Sequence, residues 1–140
     1  PIKTWRYGIS GAPDEICTFR ENGLTEFPVS TVKILTREIG IGGAYFRVFP
    51  YALTRIGFDR RLKDGKVTMF YVHPWEYDPS HPVVQMEWKA KLTHYNRLNC
   101  TLPLTKKLLT QYEFGTVANV VSSQSIQGKV NEYSIEILKD

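Results

Sequence analysis

The stretch Val67-Thr68-Met69-Phe70-Tyr71-Val72 is the most strand-like segment of the chain. It is β-branched, aromatic or otherwise apolar at nearly every position, which predicts a strand buried on both faces, as in a parallel sheet covered by helices. A helix is predicted just before it, over residues 50–63, because Pro50 suits a first helical turn and Asp64-Gly65 ends the pattern. The order helix, turn, strand predicts an α/β fold with a few strands and two main helices.

The second main helix is predicted over residues 102–112. Thr101 would cap it, Pro103 would lie in its first turn, and Gly115 would follow its end. Its apolar side chains recur at helical spacing, which predicts one face turned toward the core. These side chains are Leu104, Leu108, Leu109 and Tyr112.

The remaining elements are weaker. Residues 16–20 and 24–30 are predicted to be extended. Because Pro28 donates no ladder hydrogen bond, the second strand lies at a sheet edge or has Pro28 among its last residues. Residues 39–43 form a glycine-rich turn that needs positive φ or a close backbone approach. Residues 122–131 are polar and linker-like, and the alternation at 133–137 predicts a terminal strand.

Composition restricts the class of protein. A length of 140 residues suits one domain, and no apolar run is long enough for a membrane-spanning helix. The net charge is +4, and the basic residues are scattered along the chain instead of grouped in one stripe. This argues against nucleic acid as a partner. The two cysteines, Cys17 and Cys100, favour buried thiols in a reducing compartment such as the cytoplasm, with one long-range disulfide left open.

The segment His73-Pro74-Trp75-Glu76-Tyr77-Asp78-Pro79 carries the chemistry. It begins where the predicted buried strand ends, the place where functional residues gather in open α/β sheets and barrels. His73 followed by the carboxylates of Glu76 and Asp78 could serve general acid–base catalysis, because a carboxylate beside an imidazole raises its pKa and fixes its orientation. The alternative is a histidine that ends a strand and bonds only to backbone.

Residues 24–114 resemble the carboxyl-terminal region of bacterial polysaccharide deacetylases from exopolysaccharide loci. That region is catalogued as a domain of unknown function, appended to or completing the NodB-like deacetylase barrel. The pieces that carry the resemblance are Glu26-Phe27-Pro28, Gly42-Gly43-Ala44-Tyr45-Phe46-Arg47, Pro50-Tyr51, Tyr71 through Pro79, and His94-Tyr95-Asn96.

The resemblance implies metal-dependent hydrolysis of acetyl groups on a glycan, on the C-terminal part of an incomplete (β/α) barrel. His73 matches the histidine that protonates the leaving amine. The early motifs of such enzymes, with their Asp and two His metal ligands, are absent from this chain. We therefore expect no cofactor in this chain alone, zinc or another divalent metal in a complete enzyme, and no deacetylation by these 140 residues by themselves.

Further residues are candidates for binding substrate or supporting the site. Trp75 could touch a sugar, and Tyr45 belongs to the aromatic set from which a stacking platform would be drawn. Arg47 could bind a sugar oxygen or form a structural salt bridge with Glu26, Glu76 or Asp78. His94 could face the site or be a structural histidine, and a self-contained metal site built from the three histidines is disfavoured by their spacing.

The predicted organisation is a loop-rich lead-in over 1–23, the deacetylase C-terminal domain over 24–115, and a tail of unknown role over 116–140. The expected partners are a glycan substrate and either a missing N-terminal half or a second copy, because an apolar strand needs cover on both faces. Two alternatives stay open: a non-catalytic carbohydrate-binding or scaffold module, and a subunit that completes a split barrel.

Overall fold

The computed structural model describes residues 12–34 and 36–134. Within them lie five short strands that form two sheets, which confirms the α/β class. The first sheet has the order β2-β1-β5, with β1 antiparallel to β2 and parallel to β5, and the second is the antiparallel pair β3-β4. The strands are β1 (Cys17–Phe19), β2 (Thr25–Glu26), β3 (Thr31–Ile34), β4 (Arg37–Gly40) and β5 (Asn131–Tyr133).

Helices make up most of the remaining regular structure in this part. Two short 3₁₀ helices, Pro74–Tyr77 and Leu98–Cys100, lie between the α-helices. The α-helices are α1 (Gly43–Val48), α2 (Tyr51–Lys63), α3 (Trp88–Tyr95), α4 (Thr101–Gln111) and α5 (Val117–Ile126). None of these helices has the length and hydropathy that crossing a bilayer requires.

Both predicted main helices are confirmed. Helix α2 follows Pro50 and ends at Asp64, and basic side chains in its last turn suit the negative end of the helix dipole. Helix α4 starts one residue early, at Thr101 itself, so the prediction that Thr101 caps it is wrong. The Thr101 side chain is buried instead, and its hydroxyl has no hydrogen-bond partner among the described residues.

One hydrophobic core joins the β3-β4 pair to the helices. It contains Val32, Ile41, Phe46, Phe58 and Leu108, each buried. Gly57 in the middle of α2 lies against this core. A Cβ atom at Gly57 would come 2.9 Å from the Ile41 side chain, so close packing explains a glycine that costs helix propensity.

The strand predicted over 67–72 is not formed. Only Tyr71 makes a bridge, in parallel with Gly42, and its carbonyl accepts the Gly43 N–H at 2.8 Å. Side chains form hydrogen bonds with backbone groups that would otherwise pair with a neighbouring strand. Arg61 donates to the Val67 carbonyl, and Ser30 Oγ accepts the Met69 N–H. All six residues are half-buried, so packing against neighbouring aromatic rings satisfies this apolar run without a ladder.

The glycine-rich turn predicted over 39–43 is confirmed only in part, because Ile39 and Gly40 belong to β4, whereas the positive φ predicted for its glycines is found at Gly42 and Gly43. Gly42 has φ of 135° and Gly43 has φ of 52°, both in the region that favours glycine. A Cβ atom at Gly42 would lie 2.5 Å from the Tyr71 carbonyl oxygen. The pair therefore allows the chain to pass directly against Tyr71 and then enter α1.

Other predictions need correction. Residues 122–131 are not simply a linker, because α5 occupies the first half of them and β5 begins at the last. Thr116 Oγ1 caps α5 by accepting the Asn119 N–H. The strand predicted over 24–30 shrinks to β2. The terminal strand lies earlier than predicted, as β5, and residues 135–137 of that prediction lie outside the described residues.

Candidate functional site

An open cleft of about 390 Å³ lies between the start of α1, the segment that contains Tyr71 and His73, and α3. Five of the seven site residues predicted from the sequence line it. They are Tyr45, His73, Trp75, Glu76 and His94. The other two do not line the cleft: Arg47 is fully buried, and Asp78 lies on an exposed turn. The structure thus brings together residues that are up to 49 positions apart in the chain.

His73 is exposed and lies immediately before the 3₁₀ helix Pro74–Tyr77. Its backbone is fixed by two hydrogen bonds with Glu76: the His73 N–H donates to Glu76 Oε1 at 3.1 Å, and the Glu76 N–H donates to the His73 carbonyl at 2.9 Å. The His73 ring lies 5.8 Å from the rings of both Tyr71 and Trp75, between centroids. The backbone is held while the imidazole faces solvent, which is the combination that a proton donor needs.

Arg47 and Glu76 form a buried ion pair next to the cleft. Arg47 Nε donates to Glu76 Oε2 at 2.7 Å, and both side chains have no exposed surface. The remaining guanidinium N–H groups donate to the carbonyls of Thr93, His94 and Asn96, at 3.1, 3.2 and 2.6 Å. One side chain of α1 therefore ties the 3₁₀ helix that follows His73 to the C-terminal end of α3.

This arrangement changes the role expected for the carboxylates. Both Glu76 oxygens are engaged, one by Arg47 and one by the His73 backbone, so Glu76 orients His73 through the main chain. The Asp78 carboxylate accepts from the N–H and hydroxyl of Ser80, and these bonds hold the pKa of Asp78 below its usual value. Of the salt bridges considered for Arg47, the structure has the one to Glu76.

Trp75 is packed against protein groups. Its ring stacks on His94, with centroids 3.9 Å apart and planes at 18°, and the Arg47 guanidinium carbon lies 5.5 Å from the ring centroid. Part of the ring surface that the sequence suggested for a sugar is therefore occupied by this chain. Trp75 remains half-buried and lines the cleft.

His94 forms one wall of the cleft and also joins a cluster of rings. His81 lies 5.5 Å and Tyr95 4.6 Å from its ring, between centroids. Burial lowers the pKa of His94, and the nearby His81 and Arg47 lower it further, against a smaller opposite effect of Glu76. The surroundings of His94 therefore favour its neutral form.

Sequence reasoning missed several parts of the cleft. Met86 and Thr93 line it, and Gly43 forms part of its floor. The signal for the floor was present, since paired glycines that need a close backbone approach indicate a neighbouring chain segment. Nothing in the sequence pattern pointed to Met86 or Thr93, because α3 was not predicted.

The described residues do not form a metal centre by themselves. Within 12–34 and 36–134, no three His, Cys, Asp or Glu side chains converge so as to hold a metal ion. The two thiols, Cys17 and Cys100, are not joined in a disulfide. The metal that the resemblance implies therefore does not fit the described part of this chain.

A family model covers most of the sequence. The model of the domain of unknown function DUF3473 matches residues 1–122, and the chain belongs to this family. Neither the curated proteins nor the solved structures contain a match to the chain.

Proposed function

We propose, starting from membership of this family, that the chain is the C-terminal portion of a polysaccharide deacetylase of the kind found in exopolysaccharide loci. In this proposal it contributes His73 and part of the substrate cleft. The observation that carries the proposal is the placement of His73: its imidazole is exposed on an open cleft, and its backbone is fixed by a fully buried glutamate.

The character of the cleft supports a glycan as its occupant. Its volume of about 390 Å³ is within the range of small-molecule sites. Tyr45, Tyr71 and Trp75 supply aromatic surface, and Gly43 and Ala44 keep the floor small. The carboxylate of Glu76, which lines the cleft, is paired with the Arg47 guanidinium, so its charge is compensated.

The proposed reaction is hydrolysis of an acetyl group on an amine or a hydroxyl of the glycan. The oxygen of water bonds to the acetyl carbon, and the bond from that carbon to the sugar nitrogen or oxygen breaks. A base that the complete protein must supply takes one proton from the attacking water. The electron pair of the broken bond goes to the leaving atom, which takes a proton from the His73 side chain, and the acetic acid formed releases its proton to solvent as acetate. Among residues 12–34 and 36–134, no three His, Cys, Asp or Glu side chains are grouped so as to hold a metal ion by themselves.

A second surface supports a partner that completes the enzyme. A groove of about 380 Å³ is lined mainly by apolar side chains, among them Phe27, Phe58 and Phe70. Leu62 and Val117 at its edge are 55% and 51% exposed. Apolar surface of this kind marks an interaction site. We assign it to the missing N-terminal half, or to a second copy of the chain.

The experiment that tests the proposal is acetate release from acetylated oligosaccharides by the complete protein that includes these residues. His73→Gln is expected to lower kcat by about 10²- to 10⁴-fold, the range for loss of a general acid. His81→Gln is the matched control, because His81 belongs to the ring cluster but does not line the cleft. Equal activity of wild type and His73→Gln would contradict the assignment.

The alternative is a glycan-binding module without catalysis. It is favoured by the Trp75–His94 stack, which resembles a rigid binding wall more than a reacting centre. Chemical-shift perturbation of the isolated chain by acetylated oligosaccharides separates the two. Binding that His73→Gln leaves unchanged, together with no acetate release by the complete protein, would select the binding module.

A further inference from the structure

No side chain of helix α3 is fully buried; His94 and Tyr95 are half-buried and the others are exposed. The helix and the segment before it expose four large apolar residues. These are Val83, Val84, Trp88 and Leu92, with 66%, 56%, 68% and 52% of their surface accessible. Single exposed apolar residues are ordinary, but a group of this size marks an interaction surface. We call these four residues the α3 patch.

The two parts of the α3 patch are linked through backbone hydrogen bonds to Tyr95 of the same helix. Trp88 and Leu92 are one helical turn apart, so their side chains are neighbours. The Tyr95 hydroxyl accepts the Val84 N–H at 3.0 Å and donates to the Pro82 carbonyl at 3.2 Å. These bonds tie the segment that carries Val83 and Val84 to the end of α3.

The α3 patch lies on a different side of the helix from the cleft. Ala90 and His94, which line the cleft, are one turn apart. Trp88 and Leu92 each precede one of them by two residues, a rotation of about 200° around the helix axis. The patch is therefore a surface separate from the cleft, and an inference about it does not depend on the proposed function.

The charges around the α3 patch indicate what kind of partner it binds. Residues 82–97 contain the cations Lys89, Lys91 and Arg97 against the single acid Glu87. Lys89 and Lys91 are exposed, and Lys89 Nζ lies 5.5 Å from the centroid of the Trp88 ring. Apolar side chains beside exposed lysines are typical of segments that lie on a membrane, whereas protein interfaces are depleted in lysine. Valine and leucine offer a sugar neither stacking nor hydrogen bonds.

We propose that the α3 patch binds the surface of a lipid bilayer that contains anionic headgroups. Trp88, Leu92 and the two valines enter the boundary between headgroups and acyl chains, and Lys89 and Lys91 contact the anionic headgroups. The bilayer is bound at its surface and is not crossed.

The test is co-sedimentation of the folded 140-residue chain with vesicles of phosphatidylcholine, alone or with about one third phosphatidylglycerol. Binding to the anionic vesicles is expected to be stronger and to weaken with added salt. The double variant Lys89→Gln, Lys91→Gln should lose about 30-fold in affinity for anionic vesicles. Trp88→Ser should lose at least about tenfold.

Controls and contrary outcomes are available within the same chain. The control is the double variant Leu109→Ser, Lys106→Gln on α4. It changes an apolar side chain that is 53% exposed and one exposed lysine, so it matches the α3 variants in kind. It should bind anionic vesicles as tightly as wild type does. Tryptophan emission should shift to shorter wavelength on binding, and Trp88→Phe should lose that shift. Absence of vesicle binding at low salt, equal losses in the α4 control, or self-association abolished by Trp88→Ser without vesicle binding would each overturn the proposal.

Discussion

Arg47 Nε lies 2.7 Å from Glu76 Oε2, and neither side chain has any exposed surface. The guanidinium also binds three carbonyls at the end of α3, and Glu76 also binds the His73 backbone. This one pair therefore connects the residue proposed for catalysis to the opposite wall of the cleft. A buried pair of this kind is costly to break, because removing one partner leaves the other charge uncompensated.

Arg47→Met should lower the free energy of unfolding by about 3–5 kcal/mol, since it leaves Glu76 buried without a cation. Urea denaturation measures the change. The double variant Arg47→Met, Glu76→Gln should recover part of the loss, because it removes the uncompensated charge. Arg55→Met is the control, because its pair with Asp59 is exposed on both sides and should contribute at most about 0.5 kcal/mol. A loss at Arg47 no larger than that at Arg55 would contradict the structural role.

Gly42→Ala should destabilise the protein much more than Gly65→Ala. Both positions have positive φ, which costs a non-glycine residue about 1–2 kcal/mol. At Gly65 an added Cβ meets nothing within 4 Å, whereas at Gly42 it would lie 2.5 Å from the Tyr71 carbonyl oxygen. Thermal unfolding of the two variants provides the comparison, and similar melting temperatures would show that the close approach to Tyr71 is not required.

Acid should weaken the native state through His94. Its pKa is lowered by folding, so the unfolded chain binds a proton more readily than the native chain does. Stability is therefore expected to fall as the pH drops below about 6.5, and to be recovered above it. His94→Phe keeps a ring against Trp75 and should flatten this dependence on the acid side of about pH 6.5. Parallel slopes for wild type and variant in urea denaturation would exclude His94 as the source.

Thr101→Val should leave the protein as stable as wild type or stabilise it by about 1 kcal/mol. The Thr101 hydroxyl is fully buried and has no partner among the described residues, and valine has nearly the same shape without the unpaired polar group. Thr116→Val is the contrasting variant. It removes the cap of α5 and should cost about 1 kcal/mol. Destabilisation at Thr101 equal to that at Thr116 would indicate that its hydroxyl is hydrogen-bonded.

The sequence predicted the elements whose signals are local. Helices α2 and α4 have apolar periodicity and clear end signals, and the paired glycines 42 and 43 require the turn that the structure contains. The prediction of a strand over 67–72 is wrong because aromatic rings from elsewhere in the chain can cover an apolar segment without a strand on either side. Phe70, for example, packs against Phe46 and Phe58 and needs no neighbouring strand.

Only the part of the site that lies in one continuous segment could be predicted from the sequence. The motif from His73 to Asp78 marked the cleft, but its chemistry depends on partners that are distant in sequence. The Glu76 carboxylate pairs with Arg47 and not with the imidazole of His73, and the His94 ring covers part of the Trp75 ring. The contact of His94 with Trp75 comes from helix α3. This helix has neither a buried apolar face nor a side-chain cap from which it could be predicted.

The way in which α3 is attached gives the cleft a movable wall. The helix contributes no side chain to the hydrophobic core, and its last turn is held by the guanidinium of Arg47. Segments with few buried contacts open at a small fraction of the energy of global unfolding. The amides of α3 should therefore exchange with deuterium long before those of α2, so that bulky molecules could enter the cleft by local fraying while the core remains folded.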